Sequence, residues 1–326
     1  MKAVLLKDYG DPANLYIGDY ETPRPKPTEI LVRVEATALN RADTMQRRGQ
    51  YPPPPGASPI LGLELAGEVT EIGSQVSKWK KGDKVCSLLA GGGYAEYAVV
   101  PESLALPIPE GMSISDAAGI PEVFMTAYQA LCWIAKIQKN EKTLIHAGAS
   151  GVGTAALQIA RAIGATSYVT ASKGKHGICL KLGATAAIDY KTEDFELRIK
   201  ELTEGVGVNV IIDFIAAPYF QQNLNSLTID GRLVILALMG GIKVKELNMV
   251  NFMFKRLQVF GSTLRARSLD YKARLASDLQ EFAWTRFESG EFHSVIDSVY
   301  DWKDVAEAHR YMEANNNQGK IILQIS

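Results

Sequence analysis

Three glycines in the stretch HAGASGVGTAALQIA, residues 146–160, stand at Gly148, Gly151 and Gly153, between an apolar run and a helical one. Glycines in such a turn let the backbone reverse sharply and approach a pyrophosphate closely. The unpaired amides and dipole of the following helix then hold the phosphate oxygens. The spacing is Gly-x-x-Gly-x-Gly, and it also suits a tight strand-to-helix turn with no ligand. About twenty residues further on, a site for NAD usually carries Asp or Glu to hold the ribose 2′-hydroxyl. Here the chain reads VTASKGK, residues 169–175, with no acid, a hydroxyl at Ser172, and ammonium groups at Lys173 and Lys175. A carboxylate would repel a 2′-phosphate, whereas these groups would bind it, so NADPH is the expected cofactor. The bland alternative is a surface loop that lysines merely decorate.

Metal and nucleophile chemistry lacks its parts. Cys86, Cys132 and Cys179 are widely spaced, and His146, His176, His293 and His309 are scattered along the chain. None of them forms a zinc-ligand cluster, and no Cys-x-x-Cys or Ser-His-Asp order is present. His146, in the strand before the glycine turn, reads as a packed or hydrogen-bonded side chain. No metal is expected, which leaves hydride transfer to an acceptor that needs little help. The 35 basic and 36 acidic side chains nearly cancel. That balance argues against nucleic acid or an anionic membrane as the main partner. The sparse, odd set of cysteines suits a reducing compartment, and the opening MKAVLLKDYGDPANLYI lacks a secretory signal. No run approaches the roughly 18 to 20 apolar residues of a bilayer span. A cytoplasmic location is expected.

The elements that must position these residues fall into two textures. The first third is β-rich, with EILVRVEA (29–36), GEVTEI (67–72) and KVCSLL (84–89) separated by Pro- and Gly-rich turns. Four consecutive prolines stiffen the loop at 50–60, and AGGGY (90–94) allows a tight reversal. VFMTAYQALCWIA, residues 123–135, has helical periodicity. From residue 143 the pattern becomes strand, glycine turn, helix, repeatedly, which predicts a parallel sheet covered on both faces. From about residue 265 follow a long amphipathic helix and a terminal strand, GKIILQIS. The expected α/β architecture is a β-domain, a doubly wound insert, and a C-terminal return to the first domain.

The segments ALNRADTMQRRGQYPPPPGA, LGLELAGEV, LLAGGGYAEYAVVP, the glycine turn and YMEANNNQGKIILQ together resemble the zinc-free quinone oxidoreductase branch of the medium-chain dehydrogenase/reductase superfamily. Within that branch the resemblance is nearest to the p53-inducible type. Zinc-dependent relatives carry Gly-His-Glu where this chain has Leu63 before Glu64. The resemblance implies a GroES-like β-barrel domain from residues 1–123 and 265–326 around a Rossmann domain of residues 124–264. It also implies NADPH in the cleft between them, and a homodimer paired through the Rossmann edge; MVNFMFKRLQVFGS (249–262) suits such an edge and suits a buried interior strand equally well. By the same resemblance Asn40 and Asp43 lie beside nicotinamide and substrate, and Tyr51 in the substrate pocket. Thr126 would face the nicotinamide, and Ser150 and Val152 would join the pyrophosphate turn. Lys175 and Tyr190, with Ser172 nearby, would grip the 2′-phosphate, and Asn317 would touch the adenosine phosphate. Two departures stand out. The lysine loop is one residue shorter than in the nearest relatives, so either Lys173 or Lys175 could hold the 2′-phosphate. Ala216 and Ala217 replace a glycine at a strand end.

Each implied role has an ordinary alternative. Asn40 suits a helix N-cap, Asp43 suits a surface pair with Arg47 four positions on, and Tyr51 suits packing against the prolines. The expected activity is NADPH-dependent reduction of small quinones, net one or two electrons, with ortho-quinones plausible as substrates and Tyr51, Asn40 and Asp43 as its catalytic group. The alternatives are an alkene or enoyl reductase and a largely non-catalytic NADPH-binding protein.

Overall fold

Runs such as Val208–Asp213 (VNVIID) and Thr166–Ala171 (TSYVTA) carry apolar residues on both faces and are buried along almost their whole length. Strands of this kind are stable only at the centre of a covered parallel sheet. In the computed structural model, which describes residues Met1–Ser326, they lie in one of two units, Thr126–Thr263. Six strands there pair in parallel. Their spatial order is Ala184–Asp189, Thr166–Ala171, Lys142–Ile145, Val208–Asp213, Leu227–Ile235, Gln258–Gly261. Counted along the chain this is 3-2-1-4-5-6, the doubly wound order of the Rossmann fold, whose ligands sit at the carboxyl ends of the strands. Leu144, Ile211, Leu224 and Leu233 form the core that the helices cover.

The second unit joins Met1–Met125 to Leu264–Ser326. Its main sheet runs Ile296–Asp301, Lys320–Gln324, Glu29–Ala38, Glu64–Ile72, Lys84–Leu88, Ala105–Pro107, and Tyr97–Pro101 also pairs with Glu29–Ala38. The terminal strand is therefore a direct neighbour of one near the start. Two registers matter for the site. Ile322 lies opposite Ala38 in one antiparallel ladder, and Ala36 lies opposite Ala66 in the other. Extending each by two residues brings Lys320 and Glu64 to the end of Glu29–Ala38 from its two sides. The unit also holds the hairpin Lys2–Leu6 with Leu15–Asp19, the long helix Leu269–Glu288 expected after residue 265, and the helix Val305–Glu313.

The helix predicted at 123–135 divides in two: an α-helix Pro121–Tyr128 is followed by a π-helical segment Gln129–Ile134. No helix is long and apolar enough to cross a membrane.

Candidate active site

The glycine turn leads from the strand Lys142–Ile145 into the helix Gly151–Ile163. Ser150 caps that helix, its Oγ accepting the Gly153 N–H at 3.1 Å. The amides of Gly151 and Val152 precede the first helical hydrogen bond and stay available to an anion. The other two glycines are required sterically. A Cβ on Gly148 would lie 2.5 Å from Cβ of Val169, and one on Gly153 would lie 2.5 Å from the Ala147 carbonyl oxygen. Thr126, on the helix Pro121–Tyr128, has a buried hydroxyl without a hydrogen-bond partner. An orphaned buried hydroxyl and a cradle that any Cβ would fill are what a dinucleotide site requires. The turn therefore fits a nicotinamide cofactor.

The next strand, Thr166–Ala171, ends at Ser172, which opens a short turn, Lys173–Lys175, without its side chain capping it. Lys173 is exposed and Lys175 half-buried. In the neighbouring ladder Asp189 lies opposite Ala171, so Tyr190, 47% exposed, comes beside Ser172. The structure thus gathers four of the residues expected at the 2′-phosphate. Asn317 belongs to the other unit, where its amide donates to the Gly319 carbonyl at 2.8 Å just before the terminal strand.

In that other unit, Asn40 immediately precedes the helix Arg41–Arg47. Its side chain is drawn into a buried ion pair. Lys320 Nζ lies 2.7 Å from Glu64 Oε1 and donates to Asn40 Oδ1 at 2.7 Å and to the Leu39 carbonyl at 2.8 Å. Asn40 Nδ2 donates to Glu64 Oε1 at 2.8 Å and to the Ala38 carbonyl at 3.3 Å. The other carboxylate oxygen of Glu64 accepts the Glu122 N–H at 2.8 Å. Both amide hydrogens of Asn40 are thus spent within the protein. Sequence reasoning passed over Glu64 as a partner and over Lys320 altogether. The signal was present, because a lone charge inside an apolar strand (LGLELAG, GKIILQ) is rarely buried unpaired.

Asp43 is fully buried. Its two oxygens accept the backbone N–H groups of Asn40 (2.8 Å) and Gly62 (3.0 Å), fastening the helix start to the LGLE loop. The surface pair with Arg47 does not form. Arg47 turns to Glu313, to the Gly10 carbonyl, and to His309 Nδ1 at 3.3 Å. Each Asp43 oxygen thus accepts one backbone N–H, and the carboxyl is enclosed at the helix start with no exposed surface.

Burial outweighs the two amide bonds and pushes the Asp43 carboxyl up to about 6. A folded-state value above the unfolded one, about 3.9, gives stability that is complete below the lower value and lost as pH rises through the higher. Denaturant unfolding should therefore show the Asp43 contribution, on the order of 2–3 kcal/mol, being lost between pH 4 and 6, with a shallower slope over that window in Asp43→Asn. An equal slope in both proteins would refute the assignment.

Tyr51 is half-buried, and Arg265 holds it. The guanidinium of Arg265 lies 5.2 Å from the Tyr51 ring centroid and donates to the Tyr51 carbonyl (3.3 Å), the Ala90 carbonyl (2.8 Å) and Gln46 Oε1 (2.6 Å). Tyr51 therefore does not rest on the prolines alone. Burial and the Glu122 carboxyl raise its phenol pKa against the pull of Arg265. Burial, with Glu64 next, pushes Glu122 itself up to about 8.

Two family models match the chain: an alcohol dehydrogenase GroES-like domain over residues 26–110 and a zinc-binding dehydrogenase domain over residues 151–281. The quinone oxidoreductase of Homo sapiens is 32% identical over 99% of this chain and 97% of its own length. The chain belongs to the quinone oxidoreductase branch of the medium-chain dehydrogenase/reductase superfamily. Among solved structures of this superfamily, an NAD-dependent alcohol dehydrogenase superposes with a TM-score of 0.89 at 29% identity, covering all of both chains. The CurK enoyl reductase superposes at 0.88, also 29% identical, over all of this chain and 99% of its own. The superfamily's zinc does not fit the residues here. Leu63 is buried where zinc-dependent members place a histidine, Glu64 is committed to Lys320 and Asn40, and no three His, Cys, Asp or Glu side chains cluster to hold a metal.

Proposed function

We propose that the protein is an NADPH-dependent, zinc-independent reductase of small quinones, ortho-quinones among them. The observation that carries this reading is the glycine turn at the carboxyl edge of the doubly wound sheet, with Ser172, Lys173, Lys175 and Tyr190 on the next strand ends and no acid at the end of Thr166–Ala171, where an NAD site usually holds the 2′-hydroxyl. Gly148, Ser150, Gly151, Val152 and Gly153 would hold the pyrophosphate, with Thr126 and Asn317 as further cofactor contacts. The quinone half of the reading is supported by the relatives that bear that name.

Bound NADPH supplies a hydride, and a quinone accepts it readily because the product gains aromaticity. The protein's part is to hold the acceptor and exclude water. Tyr51 would donate a hydrogen bond to the quinone oxygen as negative charge grows there, with the proton coming from the phenol or from water. Arg265 keeps the phenol in place. Asn40 and Asp43 act as positioning residues in this reading, because their polar groups are already engaged.

The same reading includes a homodimer through the edge strand Gln258–Gly261, supported by the exposed apolar side chains of Met253 and Phe254 in the short helix that precedes it. Three free cysteines support a reducing, cytoplasmic setting. A second reading, reduction of activated alkenes, is favoured by the likeness to the enoyl reductase.

The test is oxidation of NADPH followed at 340 nm with an ortho-quinone, a para-quinone and an enone, with NADH as the cofactor control. Quinone turnover selective for NADPH is expected. Tyr51→Phe should lower kcat about 10- to 100-fold, the worth of one hydrogen bond to developing charge, while leaving NADPH affinity unchanged. Turnover with the enone alone would transfer the function to the second reading, and NADH preferred to NADPH would refute the cofactor.

A further inference from the structure

Two neighbouring strands of the doubly wound sheet, Lys142–Ile145 and Val208–Asp213, flank the point where the strand order reverses. Each is followed by a turn that passes through an alanine with positive φ: Ala147 at 50° and Ala216 at 68°. Left-handed backbone of this kind is uncommon for a residue with a Cβ, and it persists only where its surroundings hold it. Glycine would take it without strain.

An unbroken chain of hydrogen bonds joins the two alanines beneath the turns. The Ala147 N–H donates to Thr170 Oγ1 at 3.3 Å. Thr170 Oγ1 lies 3.0 Å from His146 Nδ1, and His146 Nε2 lies 2.8 Å from Asn223 Oδ1. Asn223 Nδ2 donates to Asp213 Oδ2 at 3.0 Å, and that oxygen accepts the Ala216 N–H at 3.1 Å. The donors and acceptors fit one tautomer. Asn223 Oδ1 can only accept, so His146 carries its proton on Nε2 and takes the Thr170 hydroxyl at Nδ1. Burial lowers the His146 pKa, in keeping with a neutral ring. His146, Asn223 and Asp213 are all fully buried, so water does not compete for these bonds.

We infer that His146 and Asn223 are positioning residues for the nucleotide, holding the Ala147 and Ala216 turns open on either side of the switch point. The inference rests on the NADPH reading of the glycine turn. Its test is titration of purified protein with NADPH, followed by quenching of tryptophan fluorescence, alongside thermal melting. Asn223→Leu should weaken NADPH binding about tenfold, the equivalent of releasing one strained turn. Ala216→Gly in the Asn223→Leu background should restore most of that affinity, and alone should change it little. Thr170→Val with Ala147→Gly provides the same test from the other end if Asn223→Leu does not fold. Unchanged affinity in Asn223→Leu or Thr170→Val would overturn the inference. So would a loss that tracks the melting temperature and is not restored by glycine. A wild-type protein that binds no NADPH would instead overturn the cofactor reading, and this inference with it.

Discussion

Lys320→Met is expected to destabilise the unit formed by Met1–Met125 and Leu264–Ser326 by about 3–5 kcal/mol, the range for removing one partner of a buried ion pair. The reason is what remains behind. Glu64 is wholly buried and keeps Asn40 and the Glu122 amide as donors, but it loses the only cation in contact with it. Asn40 Oδ1 and the Leu39 carbonyl lose their donor as well. A Glu64→Leu, Lys320→Met double variant should recover much of the loss, because two apolar side chains leave no uncompensated charge. Chemical denaturation of wild type, both single variants and the double variant measures this directly. Equal, additive losses would mean that the two charges do not depend on each other.

Gly153→Ala is expected to weaken NADPH binding by roughly 10²-fold, the scale of effect that an ångström of misplacement has on a positioned group. Helix propensity alone predicts the opposite sign for stability, since alanine is favoured over glycine inside a helix by about 1 kcal/mol. The added Cβ would meet the Ala147 carbonyl oxygen at 2.5 Å and the Gly148 carbonyl carbon at 2.7 Å. All of these atoms are backbone, so no side chain can swing aside. The turn itself must shift, and with it the amides that the proposed reading sets against the pyrophosphate. Fluorescence titration with NADPH and thermal melting should move together, both downward. Undiminished affinity in this variant would mean that the phosphate does not sit on this turn.

The doubly wound unit was legible because its signals are local. Apolar strands, glycine turns and amphipathic helices alternate within short stretches. In the other unit too, the strands expected at 29–36 and 84–89 lie close to the observed Glu29–Ala38 and Lys84–Leu88. The nucleotide turn was legible for the same reason. What escaped depends on register between distant segments. Nothing near Lys320 in the chain says that it lies two residues beyond the Ile322–Ala38 pairing, and hence beside Asn40. The i,i+4 spacing of Asp43 and Arg47 suggests a surface pair, yet the helix Arg41–Arg47 buries both and gives each a different partner. Arg265 stands where the chain passes from one unit to the other, and its hold on Tyr51 spans 214 residues of sequence. The departure at Ala216 was visible as a missing glycine. Its physical meaning, a left-handed turn tied down by Asp213, required the backbone angles.

Pairing of Lys320–Gln324 with Glu29–Ala38 also bears on how the chain is made. On the ribosome, Glu64 and Asn40 emerge long before the lysine that neutralises and orients them. Until then the carboxylate cannot be enclosed without leaving a bare charge in an apolar interior. The unit Thr126–Thr263 is complete in sequence before the last sixty residues are added, and domains generally fold as units. Synthesis order therefore favours closure of the Thr126–Thr263 insert first, while its host sheet waits for the final strand.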